Sequence, residues 1–299
     1  MQIPSNKLSA VISFYKKELA PIYTEGELQN IIRWVLEKQL KLTASDISTK
    51  PDLRINESEL TPLEKMCFDL KANKPIQYVL GDTEFYGMQF KVNESVLIPR
   101  PETEELVEKI IKEISSQKSE VKSPIILDIG TGSGCIPIAI KKNIPEASMH
   151  ALDVSELALG LAKHNAEENK TEVNFFKADI LNENAASEIL KQTGQNKFNI
   201  IVSNPPYVLN SEKNTLHQRV IDFEPHLALF VEYTDPILFY RKIALHAQKL
   251  LKPGGQLWFE CHTNYVPNVA QMLAEAGYIN IRQHPDLSGL ARFTEATHI

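Results

Sequence analysis

Cysteine is scarce in this sequence. Cys67, Cys135 and Cys261 are its three, scattered, odd in number and without the spacing of a metal site. That pattern excludes a disulfide scaffold and points to reduced thiols in a reducing compartment. Positive charge is short as well: 32 Lys and Arg against 38 Asp and Glu leave a net −6, so no global positive field draws the chain to nucleic-acid backbone. No apolar run reaches the ~18 residues of a membrane span, and the start, MQIPSNKLSAV, has no apolar core of the length a signal peptide needs. The expectation is a cytoplasmic monomer with no membrane partner and no direct contact with nucleic acid. The eight histidines form no ligand-spaced cluster and no Ser/His/Asp arrangement is visible. Neither a metal nor a covalent intermediate is therefore expected.

What is present is ordinary globular material. At 299 residues the chain has room for two domains, and 43% hydrophobic with 23% charged residues suits packed cores. Residues 1–75 read as a helical bundle. YTEGELQNIIRWVLEKQLKL places Ile31, Ile32, Trp34, Val35, Leu36 and Leu40 at helical spacing behind a capping box of Thr24 and Glu27. TPLEKMCFDL reads as another start, with Thr61 as N-cap, Pro62 first in the helix and Glu64 three residues after the cap. PIQYVLGDTEFYGMQFKV, within residues 76–99, reads as a β-hairpin connector punctuated by Gly81-Asp82 and Gly87. From residue 100 the chain reads as one α/β domain to residue 299: a helix in PETEELVEKIIKEI, a polar linker QKSEVKS, then alternating strands and helices. Its strands are PIILDIG, SMHALDV, VNFFKADI, FNIIVSN and QLWFECH, and INIRQHPDL with LARFTEATH closes as an antiparallel pair. A long irregular stretch follows FNIIVSN, and the helix DPILFYRKIALHAQKLL ends at Lys252-Pro253-Gly254-Gly255. Alternating βα units predict a mostly parallel, Rossmann-like sheet with ligands beyond the carboxyl ends of its strands.

Four of those strand ends carry candidate chemistry. The first runs into D-I-G-T-G-S-G, where Gly130, Gly132 and Gly134 alternate with Thr131 and Ser133. Counted from Gly130, the sixth position is Cys135, so the dinucleotide fingerprint fails. Asp153 ends the second strand, where an acid accepts from both hydroxyls of a ribose. Asp179 and Ile180 end the third, with one polar and one apolar contact to offer an adenine. Singly these are a tight turn and two solvated carboxylates. Together they suit a ligand with a ribose, an adenine and a cationic amino-acid tail. The fourth strand stops at Ser203-Asn204-Pro205-Pro206-Tyr207. Two prolines remove two backbone donors and lock two φ angles, leaving a stiff loop of carbonyls and one carboxamide. Such a loop suits a ligand with hydrogens to donate.

Glycine loop and N-P-P-Y together resemble the class I S-adenosylmethionine-dependent methyltransferases. With IPRPETE ahead of them, and PIQYVLGDTEFYG, FEPHLAL, FYRKI and LKPGGQL besides, the sequence is similar over nearly its whole length to the HemK/PrmC family. It departs from that family at FVEYTDPILFY, at Glu260-Cys261-His262 and at PDLSGLARF. The resemblance implies S-adenosylmethionine as cofactor, S-adenosylhomocysteine as product, and class I release factors as partners, methylated at a glutamine side-chain amide. It implies Gly130–Gly134, Asp153, Asp179, Ile180 and Asn204 around the cofactor. Asn204 Oδ1 and the Pro205 carbonyl would hold the amide hydrogens, Pro206 would stiffen the loop, and the Tyr207 ring would pack on the amide. PRPETEE reads both as a helix start and as a segment beside the active site, and the roles of Arg100, Glu102 and Thr103 stay open. Methylation of adenine in DNA or RNA, methylation of a ribosomal-protein glutamine, and a cofactor-binding module without catalysis are the competing readings.

Overall fold

The computed structural model describes residues 2–116, 123–231 and 235–299. Most of the linker QKSEVKS, and part of the FVEYTDPILFY segment, lie outside them. The chain forms two compact units, Met1–Asp82 with Gln218–Phe223, and Thr83–His217 with Glu224–Ile299.

The first unit is helical: α1 (Leu8–Leu19), α2 (Glu25–Leu40), α3 (Ala44–Thr49), α4 (Glu57–Lys71) and α5 (Ile76–Leu80). The expected capping box opens α2, with Thr24 accepting from Glu27 N and Glu27 accepting in return from Thr24 N. Leu28, Ile31, Ile32, Val35 and Leu36 form its buried stripe, facing Val11, Tyr15, Leu63 and Leu70. Two buried phenols are satisfied by carbonyls of α4: Tyr15 donates to Leu63 at 2.6 Å and Tyr23 to Leu70 at 3.0 Å. α4 corrects the expected start at Thr61. It begins one turn earlier, after Asn56, whose N–H donates to Glu59 at 3.2 Å, and Glu57 and Glu59 favour the positive end of the helix. Pro62 lies inside the helix, and Glu64 accepts from Ile3 N at 2.7 Å. The expected hairpin is also shorter than read, because Ile76–Leu80 is helical and Gly81 ends it in the left-handed conformation, φ 75°.

The second unit opens with β1 (Asp82–Phe85) and β2 (Met88–Lys91). Tyr86 and Gly87 both have positive φ, 51° and 71°, as a two-residue turn that matches strand twist requires. Next come α6 (Pro101–Ser116), β3 (Ile125–Ile129), α7 (Cys135–Asn143), β4 (Ser148–Asp153), α8 (Glu156–Glu168), β5 (Asn174–Lys177), α9 (Ala185–Thr193) and β6 (Phe198–Ser203). α9 was not legible as an element because only Ala185, Ala186 and Ile189 of its nine residues are buried. The stretch read as irregular holds β7 (Val208–Leu209), a 3₁₀ turn (Asn210–Thr215), α10 (Gln218–Phe223), α11 (His226–Leu229) and β8 (Phe230–Val231), with β7 and β8 paired in parallel. α10 belongs to the helical unit, where the Arg219 guanidinium lies 5.5 Å over the Tyr23 ring.

The chain closes with α12 (Leu238–Leu250), β9 (Leu251–Glu260), α13 (Val266–Glu275), β10 (Ile279–Pro285) and β11 (Ala291–Thr297). Lys252–Gly255 is no separate stop. It is the start of β9, where a Cβ on Gly255 would lie 2.8 Å from the Lys252 carbonyl and 3.2 Å from that of Asn199. The seven-stranded sheet runs β10-β11-β9-β6-β3-β4-β5, parallel except that β11 is antiparallel to both neighbours. Side chains alternate across it. Leu127 and Ile129 pack with Ile189, Tyr240 and Val269 on one face, and Ile126 packs with Leu106, Ile136 and Leu159 on the other. The order reverses between β3 and β6, so their carboxyl ends open a crevice between them.

Candidate active site

The crevice is a cavity of about 380 Å³, and its lining includes Gly130 to Ser133, Asp153, Asp179, Ile180, Asn204, Pro205 and Pro206. Each arrives from a strand end. Gly130, Gly132 and Gly134 have φ of 78°, 53° and 80°, so the loop alternates through a conformation that side chains resist. Gly130 N and Thr131 N both donate to the Leu152 carbonyl at 2.9 Å, which ties the loop to the end of β4. Asp153 locks it further, taking Gly132 N on one oxygen and Ser155 N on the other, each at 2.9 Å. Burial raises the Asp153 carboxyl, while those backbone donors favour its charged form. Gly134 does not line the cavity. A Cβ there would meet Ala162 and Ile138 at 3.1 Å, so this glycine serves the packing of α7 on α8.

Beneath the loop, Asp128 is fully buried, and neither of its oxygens has a hydrogen-bond partner among the described residues. Burial pushes its carboxyl up to about 7, and the Asp153 charge nearby adds to the rise. Orphaned acceptors next to a loop of exposed backbone suit a ligand with a cationic tail, and Leu157, Ile136 and Ile180 supply apolar walls. The residues present thus fit S-adenosylmethionine.

The Ser203 hydroxyl donates to the Ile129 carbonyl at 2.7 Å and clamps the ends of β6 and β3 together, so Asn204 stands beside the glycine loop. Its Nδ2 donates to Thr103 Oγ1 at 3.3 Å, and Thr103 donates on to Glu260 Oε2 at 2.7 Å. Thr103 and Glu260 are 3% and 2% exposed, so this is a buried polar chain. Burial pushes the Glu260 carboxyl up to about 7, against the Thr103 hydroxyl, the Arg292 charge and the Asn204 amide. In PRPETEE, Pro101 starts α6 with Glu102 and Glu104 in its first turn, while Arg100 and Thr103 line the cavity. Arg100 pairs with buried Glu224 at 2.6 Å, and Glu224 also accepts from Ile98 N. Glu102 is not among the lining residues, and neither is Tyr207, whose ring lies tilted 5.6 Å from that of His262. Glu224 and Glu260 do not line the cavity either, but they hold Arg100 and Thr103, which do, and no local sign in the sequence marks these pairings. Among the described residues, no cluster of His, Cys, Asp or Glu could hold a metal, and no helix is long and apolar enough to cross a membrane.

A parallel sheet with this switch point, a left-handed glycine loop, a strand-end aspartate and N-P-P-Y define a class I S-adenosylmethionine-dependent methyltransferase. The catalytic domain of hMettl16, solved with the MAT2A 3′UTR hairpin 6, shares the fold at a TM-score of 0.52 and 14% identity, over 81% of this chain and 82% of that one. Residues 106–226 match the Methyltransferase small domain, and residues 11–81 match the PrmC N-terminal domain. The release factor glutamine methyltransferase of Flavobacterium psychrophilum is 45% identical over 275 residues, 92% of this chain and 93% of that protein. That of Bacteroides thetaiotaomicron is 38% identical over 289 residues, 97% of this chain and 99% of that protein. The chain belongs to the PrmC/HemK family of release factor glutamine methyltransferases. It is a protein-(glutamine-N5) methyltransferase, and its methyl donor is S-adenosylmethionine.

Proposed function

We propose that the methyl acceptor is the glutamine of the Gly-Gly-Gln loop in class I release factors, held by Asn204 and the Pro205 carbonyl. One observation carries this reading: Asn204, Pro205 and Pro206 line the same cavity as the glycine loop and Asp153, from the adjacent strand. A glutamine amide nitrogen is a poor nucleophile because its lone pair is delocalised into the carbonyl. Two acceptors aimed at its hydrogens place the nitrogen and stabilise positive charge growing on it during attack. S-adenosylmethionine, when bound, supplies a methyl group on a sulfonium and leaves as S-adenosylhomocysteine, and the methylated amide nitrogen gives up one of its two protons to solvent. Asp153 takes the ribose hydroxyls, Asp179 and Ile180 bracket the adenine, and Asp128 lies under the loop that receives the cationic tail. A glutamine flanked by glycines enters such a cavity without obstruction from neighbouring side chains. The helical unit docks the rest of the release factor, and the enzyme works as a cytoplasmic monomer.

The test is incubation with labelled S-adenosylmethionine and separate pools of release factor, ribosomal protein, DNA and RNA. Mass spectrometry should find one methyl on the Gly-Gly-Gln glutamine and none after Gln→Ala there. Asn204→Ala should retain the fold and cofactor binding while turnover drops by roughly 10²-fold or more. Label on adenine with the release factor untouched would reject the assignment.

A further inference from the structure

We propose that Thr103 and Glu260 are positioning residues which fix the Asn204 amide with its oxygen toward the methyl acceptor, and so select a carboxamide over a carboxylate. This rests on Asn204 being the acceptor of the amide hydrogens. The argument is one of hydrogen-bond direction. A carboxylate only accepts, and a threonine hydroxyl has one hydrogen to give. With Thr103 Oγ1 donating to Glu260 Oε2 at 2.7 Å, that hydrogen is committed, and the same oxygen can only accept from its other neighbour. Asn204 must then present Nδ2 to it, as found at 3.3 Å. The flipped amide would set Oδ1 against an oxygen with no hydrogen left, two acceptors facing each other. Oδ1 is thereby reserved for the cavity that Asn204 lines.

Burial strengthens this logic, since Thr103 and Glu260 are both nearly closed to water and Glu260 does not reach the cavity. The two residues come from the start of α6 and the end of β9, and their side chains meet the end of β6 there. A packing role alone would be met by an apolar pair. The consequence concerns specificity. A glutamine offers two N–H donors to a fixed oxygen, whereas a glutamate offers only acceptors and is repelled by it. An Asn204 amide free to flip would present Nδ2 to a glutamate and lose that discrimination.

Full-length enzyme and its Thr103→Val, Thr103→Ser and Glu260→Gln variants should be compared in turnover and in binding. The binding assay uses two forms of release factor, one with the native target glutamine and one with Gln→Glu there. Thr103→Val keeps the shape of the side chain and removes the hydroxyl. Its kcat should fall about 10-fold or more, with KM and affinity for S-adenosylhomocysteine within about twofold of the parent. Thr103→Ser should restore kcat. In Thr103→Val and Glu260→Gln the preference for the glutamine form should shrink toward parity, because an amide at position 260 donates as well as accepts and no longer sets the direction. Should Thr103→Val fail to fold, the nearly isosteric Glu260→Gln decides alone. Parental kcat and undiminished preference in the folded variants, with Asn204→Ala inactive, would overturn the clamp and leave the acceptor role of Asn204 standing. An active Asn204→Ala would remove both.

Discussion

Asp153 has two tasks. Each carboxylate oxygen already accepts one backbone N–H, from Gly132 and from Ser155, and retains a lone pair for a ribose hydroxyl. Asp153→Ala should therefore lose at least one ligand hydrogen bond, about 1–3 kcal/mol of S-adenosylhomocysteine affinity by calorimetry. Unchanged affinity would move the ribose elsewhere. Glu260 makes a different kind of prediction. Its carboxyl rises from an ordinary 4.5 to about 7, so the folded protein holds the proton more tightly than the unfolded chain. Stability from this group is complete below the lower value and declines as pH climbs through the window, by on the order of 3 kcal/mol. Turnover should run the opposite way, because the clamp on Asn204 needs the carboxylate. Arg292 on β11, Thr103 and Asn204 favour that form, and Glu102 on α6 opposes it. An acid limb in the pH–rate profile near 7 is expected. Glu260→Gln should lack the limb and melt higher than the parent at pH 8, and an unaltered limb in that variant would assign it to another group.

At the scale of elements, the glycine loop separates ligand contact from packing. Gly130 and Gly134 are both left-handed, yet a Cβ at Gly130 meets nothing within 4 Å, while one at Gly134 presses on Ala162 Cα at 3.3 Å. Gly130→Ala should cost about 1–2 kcal/mol of stability through backbone strain, and it should also weaken cofactor binding because Gly130 lines the cavity. Gly134→Ala adds a clash between α7 and α8 that an alanine partner cannot rotate away from, so it should lower Tm by more than Gly130→Ala does. Thermal melts of the two variants without ligand check the order. Capping, turn and strand-end signals of this kind were legible because they are local. Thr24 with Glu27, Gly87 in the hairpin and the run into Asp128 each act over a few residues. Boundaries failed where a second local signal competed, as at α4, which starts at the Asn56–Glu59 cap and not at Thr61.

The whole molecule joins a catalytic unit to a helical one through more than one crossing of the chain, since Gln218–Phe223 belongs with residues 1–82. Removing the helical residues would therefore strip α10 of its partner Tyr23, and point substitutions test docking more cleanly. Trp34 and Phe68 are 42% and 61% exposed on the helical unit, large apolar groups that its own core leaves uncovered. If this unit docks the release factor, Trp34→Ala with Phe68→Ala should raise KM for the intact factor severalfold. Turnover of a saturating short peptide bearing the glutamine should stay near the parental rate. Equal losses on factor and peptide would remove the docking role.

The sequence by itself determined the succession of the seven strands of the main sheet, the loops at the ends of β3, β4, β5 and β6, and the family they belong to. Hydrophobic period, glycine and proline are local constraints, and each acts within a few residues of where it is written. What the tertiary structure decided is which distant polar groups meet. Thr103 and Glu260 are 157 residues apart, and Arg100 and Glu224 are 124 apart. No spacing rule links such pairs. Thr103 and Glu260 meet because β9 lies beside β6 and α6 starts near their carboxyl ends, where both side chains are almost fully buried. A buried carboxylate without water takes whatever donor the fold provides, and here that donor sets the direction of the Asn204 amide.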